Sequence, residues 1–311
     1  MALYLTEADV DALLSPDDAL AAVEESFRRL AAGAVENRPR YRLRLDDGAL
    51  AVMAAADLGL GYAGVKTYAA FPGSGARFVV LLFDATRPEL VAAIEADRLG
   101  QLRTGAASGV AARHLARPQA RSLGVIGCGW QAESQVACIR AAVPTIDRVV
   151  AYCRTGARLA EFCARVGAEA GEAHRDAGEQ DVVVTATTSK DPVLRGEWLR
   201  PGALVCAVGA NRPSARELDN AVLERAAFVC CDSREQSRLE SGDLREPVEQ
   251  GLLDWLEVHE LQDVVAGNVQ GRHDPQDVVV FKSNGLAAWD VAVGAAVVER
   301  ARERGLGAEL P

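Results

Sequence analysis

Leu20, Val23, Phe27 and Leu30 recur every three or four residues, which predicts a helix over 16–33 with one apolar stripe. Ser15-Pro16-Asp17-Asp18 reads as its start: a hydroxyl to cap the first N–H groups, a proline suited to the first turn, and acids at the positive end of the dipole. Gly33 is a natural stop. From Arg40 the period falls to two. Arg40-Tyr41-Arg42-Leu43-Arg44-Leu45 alternates, Asp46-Asp47-Gly48 turns, and 49–55 is apolar again, which predicts a hairpin. Strands are also predicted over 61–70, 78–84 and 90–95, with Pro72-Gly73-Ser74-Gly75 turning between the first two. A helix over 97–115 completes a first lobe of helix and largely antiparallel sheet.

After residue 120 the pattern changes. Short apolar runs end in glycine or hydroxyl residues and alternate with helical segments: 122–126, 147–153, 181–187, 203–209, 227–232 and 278–285 read as strands. Runs apolar on both faces, separated by helices, predict an α/β fold built on a doubly wound parallel sheet. A helix over about 287–304 closes the chain. In such sheets ligands gather at the carboxyl ends of the strands. Gly127, Arg154, Thr187, Gly209 and Asp232 all occupy that kind of position.

The most pointed stretch is Leu123-Gly124-Val125-Ile126-Gly127-Cys128-Gly129-Trp130-Gln131-Ala132. A strand runs into a glycine pair and straight into a helix. Gly127 lets the chain turn, Gly129 lets backbone approach a pyrophosphate, and the new helix presents free N–H groups to it. Where a site for NAD places an acid on the ribose hydroxyls, at the end of the next strand, this chain has Cys153-Arg154-Thr155. Arg154, with Arg158 one turn on, suits a 2′-phosphate, which favours NADP(H) over NAD(H). The alternative is an arginine that merely ends the strand. Lys66 inside a strand and Arg103 in a helix of small residues are cations an anion could reach, or else solvated surface charges.

Composition narrows the classes. A length of 311 residues accommodates two domains, and 49% hydrophobic residues supply a core. A net charge of −10 argues against general nucleic-acid binding, so an anionic substrate needs a local basic pocket. The seven cysteines make no Cys-x-x-Cys pair and read as reduced core thiols of a cytoplasmic protein. Four scattered histidines suggest no metal site. No run is long and apolar enough to span a bilayer, and the N-terminus has no secretory pattern.

Taken in order, several motifs resemble the ornithine cyclodeaminase/μ-crystallin family: Pro39-Arg40, the strand with Lys66, Arg103-Thr104-Gly105-Ala106-Ala107, Gly127-Cys128-Gly129-Trp130-Gln131-Ala132, Arg154-Thr155, Val208-Gly209-Ala210-Asn211-Arg212-Pro213, Arg216-Glu217-Leu218-Asp219, Glu240-Ser241-Gly242-Asp243 and Phe281-Lys282-Ser283-Asn284-Gly285. The resemblance implies a substrate-binding and dimerisation domain over 1–117, completed by 287–311, and a Rossmann domain over 118–286. It implies a homodimer. It also implies that Arg40, Lys66 and Arg103 bind a substrate carboxylate, with Lys66 and Arg103 as the catalytic candidates; whether Arg40 or Arg42 lines the pocket stays open. The implied cofactor site takes in Thr104, Gly127, Cys128, Gly129, Trp130, Gln131, Arg154, Thr155, Arg158, Thr187, Val208, Gly209 and Ser283. The two acids that cyclodeaminases of this family use fall at Met53 and Asn211 here, which resembles the ketimine-reductase branch. The expected activity is NAD(P)H-dependent reduction of a cyclic imino acid, or a related amino-acid dehydrogenation. Ornithine cyclodeamination with bound NAD, or a non-catalytic NADP(H)-bound small-ligand binding protein, are the alternatives.

Overall fold

The computed structural model describes residues 1–71, 73 and 75–310. The turn expected at Pro72-Gly73-Ser74-Gly75 therefore lies partly outside the described residues. In chain order the first elements are β1 (Leu3–Leu5), α1 (Glu7–Leu13), α2 (Pro16–Ala31), β2 (Val35–Leu45), β3 (Gly48–Asp57), β4 (Tyr62–Phe71), β5 (Gly75–Ala76), β6 (Val79–Asp84), β7 (Leu90–Glu95) and α3 (Asp97–Leu115). Next come β8 (Ser122–Ile126), α4 (Trp130–Ala142), β9 (Arg148–Tyr152), α5 (Gly156–Val166), β10 (Glu169–Ala170), α6 (His174–Gly178), β11 (Val182–Thr185), β12 (Leu204–Ala207), α7 (Asn220–Glu224) and β13 (Ala226–Cys231). The last are α8 (Arg234–Glu240), α9 (Gly242–Glu249), β14 (Val258–Glu260), α10 (Leu261–Val265), β15 (Val278–Lys282), α11 (Ala287–Arg304) and β16 (Ala308–Glu309).

Two compact units result, one of Met1–Arg103 with Gly285–Pro311 and one of Thr104–Asn284. The first division falls inside α3, whereas the sequence reading drew it after that helix, at 117. Gly105 explains the difference. A β-carbon there would run into the backbone of Ser134, so the helix beyond Arg103 packs tightly on α4, within the second unit.

In the first unit the sheet order is β16-β1-β7-β6-β4-β3-β2, and every pair is antiparallel except β1 with β7. The hairpin is longer than its alternation suggests, running from Val35 to Asp57. Helices α2 and α11 cover one face, and Phe27 meets Trp289 edge-on at 5.3 Å between ring centres. Ser15 caps α2: its hydroxyl accepts from the Asp18 N–H, and the Asp18 carboxylate accepts from the Ser15 N–H. The period of two then decides what is buried. Ala51, Met53 and Ala55 of β3, Gly64 and Lys66 of β4, and Val80 and Leu82 of β6 point to the helix-covered face. The other face carries Val52, Ala54, Ala56, Ala63, Val65, Leu81 and Phe83, and is apolar too.

In the second unit eight strands run parallel in the order β10-β9-β8-β11-β12-β15-β13-β14. From β8 the chain winds outward through β9 and β10, then returns to β11 on the other side. The crevice that such a reversal opens lies beyond the carboxyl ends of β8 and β11. The late strand β15 inserts between β12 and β13, so strands near in sequence are not all neighbours in the sheet. Among the described residues no helix is long and apolar enough to cross a membrane.

Candidate functional site

A basic cluster lies in the first unit. Lys66 is 3% exposed, because its place in β4 turns it to the helix-covered face rather than to solvent. Its antiparallel partners are Met53 of β3 and Val80 of β6, so neither flanking strand offers a charge directly across. Lys66 Nζ donates to Asp290 Oδ1 at 2.9 Å and lies 4.8 Å from the centre of the Phe78 ring. Arg103, 6% exposed, donates through Nε to the same Asp290 oxygen at 3.1 Å and lies over Trp289. Arg40 is 7% exposed, whereas Arg42 and Arg44 lie at the surface. Pro39 has no N–H to give the ladder, and the register between β2 and β3 shifts between Arg38 and Tyr41. This irregularity makes Arg40, not Arg42, the buried arginine. Two glycines leave room for the cations: Gly100 beside Lys66 Nζ and Gly285, with φ +87°, beside the Arg103 guanidinium.

Burial pushes the Lys66 ammonium down to about 8, with Arg103 and Arg40 adding to the fall and Asp290 opposing it. A buried amine with a proton affinity near neutrality both attracts an anion and gives up a proton. The charges of Arg40 and Arg103 act on Lys66, so the three cations marked in the sequence share one neighbourhood.

The second unit holds the glycine turn. Gly127 has φ +116°, and a β-carbon there would strike the Ala186 carbonyl beyond β11. Only glycine combines that conformation with that close approach. Gly129 caps α4 with no side-chain bond to its N–H groups, and nothing stands within 4 Å of where its β-carbon would be. In the first turn of α4 the buried Gln131 Oε1 has no donor, and Trp130 is exposed. An open helix N-terminus and a glycine with free space above it fit the pyrophosphate of a dinucleotide, and the orphaned Gln131 oxygen fits one of its hydroxyl or amide donors. At the end of β9, Arg154, Thr155 and Arg158 are exposed, and the Arg154 charge helps burial hold His174 below its usual range.

Behind the neighbouring strand ends sits a set of buried charges. Glu217 accepts from Thr185 Oγ1 (2.9 Å) and from the N–H groups of Thr187 (2.6 Å), Gly209 (2.7 Å) and Ala210 (3.2 Å). Asp243 accepts from the Glu217 and Leu218 N–H groups and pairs with Lys282 Nζ at 3.1 Å. Lys282 Nζ also donates to the Ala210 carbonyl. Burial, then Asp243, raises Glu217, and Lys282 opposes them. Ser283 is buried and donates to Asp232 Oδ2, and Val208 is half-buried just past β12.

Glu217, Asp243 and Lys282 stand in motifs visible in the sequence that suggest no role for them, and Asp290 stands outside those motifs. The signal for Asp290 was present: a single acid in the run 286–298, otherwise free of charge, must find a buried cation. Met53 and the half-buried Asn211 bring no carboxylate. Thr104 follows Arg103 on α3 and is half-buried. All seven cysteines are free thiols; burial raises Cys128 and pushes Cys206 up to about 12, which keeps both protonated.

The model of the ornithine cyclodeaminase/mu-crystallin family matches residues 2–305. The chain is 35% identical over 319 residues to an alanine dehydrogenase of Archaeoglobus fulgidus, spanning 99% of this chain and 98% of that protein. It is 36% identical over 240 residues to a Delta(1)-pyrroline-2-carboxylate reductase of Bacillus cereus, covering 75% and 73%. An archaeal alanine dehydrogenase dimer with bound NAD superposes with a TM-score of 0.94 at 33% identity, over 100% of this chain and 99% of that one. The Thermococcus litoralis Delta(1)-pyrroline-2-carboxylate reductase, in complex with NADH and L-proline, also gives 0.94, at 29% identity, over 99% and 100%.

Proposed function

Because the chain belongs to the ornithine cyclodeaminase/mu-crystallin family, we propose that it is an NAD(P)H-dependent reductase that forms an amino acid from a C=N compound bearing an adjacent carboxylate. The substrate is a cyclic imino acid such as Δ1-pyrroline-2-carboxylate. The observation that carries this reading is the buried cluster of Arg40, Lys66 and Arg103, whose concentrated positive charge supports a carboxylate as its ligand. The reductase that holds NADH and L-proline supports the ring. The alanine dehydrogenase matched over nearly its full length supports a second substrate, the imine of pyruvate and ammonia. Ornithine cyclodeamination fits less well, since the positions of its two acids hold Met53 and Asn211.

When bound, the reduced nicotinamide supplies hydride to the C=N carbon. The residues of the chain do the rest. Arg40, Lys66 and Arg103 orient the carboxylate through charge-assisted hydrogen bonds in a buried setting, where such bonds are strong and preorganised. Lys66 is the proton source, since its ammonium loses a proton near neutral pH. Gly127, Gly129, Gln131 and the start of α4 hold the pyrophosphate, and Thr104, Cys128, Trp130, Thr155, Thr187, Val208, Gly209 and Ser283 complete the cofactor site. Arg154, just past β9, and Arg158, in the first turn of α5, are exposed cations, which favours NADP(H) through its 2′-phosphate. The named neighbours hold NAD or NADH, so NADP(H) is favoured by Arg154 and Arg158 alone. The outward apolar face of the first unit's sheet, with Phe83 exposed on it, favours a homodimer.

The test follows NADPH and NADH absorbance with Δ1-pyrroline-2-carboxylate, Δ1-piperideine-2-carboxylate, and pyruvate with ammonia, while light scattering on the same preparation counts chains. Saturable oxidation favouring NADPH is expected, from a particle of two chains. Oxidation with NADH alone discards the Arg154 argument. Ammonia release from ornithine with no net cofactor consumption overturns the reductase reading, and tight NADPH binding with no turnover of any imine replaces it by a binding role. A fall of less than tenfold in turnover for Lys66→Met removes Lys66 as proton source.

A further inference from the structure

Helix α11 is apolar and buried along most of its length, and Asp290 is the charged residue in its buried first half. Its carboxylate is 1% exposed, and both of its described ion pairs converge on a single oxygen, Oδ1. Oδ2 is buried with no hydrogen-bond partner. A carboxylate chosen only for stability would share its donors between two oxygens, because an unmet buried acceptor costs free energy. Here the arrangement is dictated by where the two cations stand. They come from β4 and α3, far from Asp290 in sequence.

We infer that Asp290 is a positioning residue of the carboxylate site: through one carboxylate oxygen it fixes Lys66 and Arg103 side by side. It acts through these two side chains and does not itself touch substrate. The charged groups bearing on Lys66 are Arg103 of α3, Arg40 of β2 and Asp290 of α11, while β3 and β6 place Met53 and Val80 across from it. Both arginines and burial drive the proton off, and Asp290 is the acid that retains it. The inference rests on reading the three cations as a carboxylate site.

The probe is pyrrole-2-carboxylate, a planar ring acid, titrated calorimetrically into the protein from pH 6 to 9.5 with no cofactor present. In the wild type, affinity is expected to fall above pH about 8, where Lys66 loses its proton. In Asp290→Asn the falling limb moves down by about one pH unit or more. Affinity at pH 6 stays equal or rises, because a competing negative charge is gone. Asp290→Glu restores the wild-type limb. A limb that stays put in Asp290→Asn, with affinity lower at every pH, overturns the inference. So does a wild type that binds no probe at any pH. Should Asp290→Asn show no cooperative melting, Asp290→Glu against wild type decides: a retained limb supports the inference and a displaced one ends it. Probe binding without oxidation of NADPH or NADH by any imine defeats the proposed reaction and leaves the role of Asp290 standing.

Discussion

At Gly100 a β-carbon would stand 2.7 Å from Lys66 Nζ, and at Gly285 one would stand 2.6 Å from an Arg103 guanidinium nitrogen. These positions separate binding from folding. Alanine is favoured over glycine inside a helix by about 1 kcal/mol, so Gly100→Ala helps α3 while it pushes the ammonium out of its seat. The variant is expected to melt no lower than wild type and to lose about tenfold or more in kcat/KM, mostly through KM; steady-state kinetics beside a melting curve checks both. A fall in Tm with unchanged KM would show that the lysine tolerates a methyl group. At this scale the sequence was only half legible. Its patterning marked Lys66 and Arg103 as cations without deciding between solvent and site, since a lone lysine in a strand carries no sign of which face it takes; only the family resemblance put them in a carboxylate site. It left Arg40 and Arg42 open, because the irregularity that buries one of them comes from pairing across the hairpin.

The ends of the parallel strands depend on one side chain. Glu217 gathers the Thr185 hydroxyl and the N–H groups of Thr187, Gly209 and Ala210, so the segments after β11 and β12 share an anchor. In Glu217→Gln an amide NH2 replaces an oxygen that donors already face. One or two buried N–H groups then lose their acceptor, at about 1–3 kcal/mol each. Tm is expected to drop by roughly 5–10 °C. Affinity for NADPH should fall further than affinity for pyrrole-2-carboxylate, which fluorescence titration and calorimetry resolve; an equal fall in both would mean general loosening. Elements with a strong local signal were readable: the capped helix α2, the glycine turn, α3, and the apolar strands of the parallel sheet. The three-residue strands β1 and β14 were not, being too short to show a period. Nor was the insertion of β15 between β12 and β13, which long-range pairing alone decides. The anchor itself escaped notice because its donors lie 7 to 32 positions from Glu217, and three of the four are backbone N–H groups that no side chain announces.

For the molecule as a whole, the two-lobed α/β architecture followed from the switch of period near residue 120, and the division inside α3 did not, since a continuous helix gives no break to read. The same scale decides how stability varies with pH. Lys66 releases its proton at about 8 when folded and at 10.5 as a free side chain. The unfolded chain therefore binds more protons between these values, and stability rises as pH climbs through that window. Below it the charged lysine costs roughly 3 kcal/mol. Lys66→Met is expected to melt several degrees above wild type at pH 7, with the gap closing by pH 10.5; calorimetric scans at the two pH values check it, and a gap that does not depend on pH would assign the gain to packing. Heat resistance and turnover thus pull the same position in opposite directions. A library of variants sorted only by survival at high temperature would discard this lysine early. What it kept would be a sturdier chain with the dinucleotide cradle intact and the chemistry silenced, a route by which an enzyme of this design turns into a carrier.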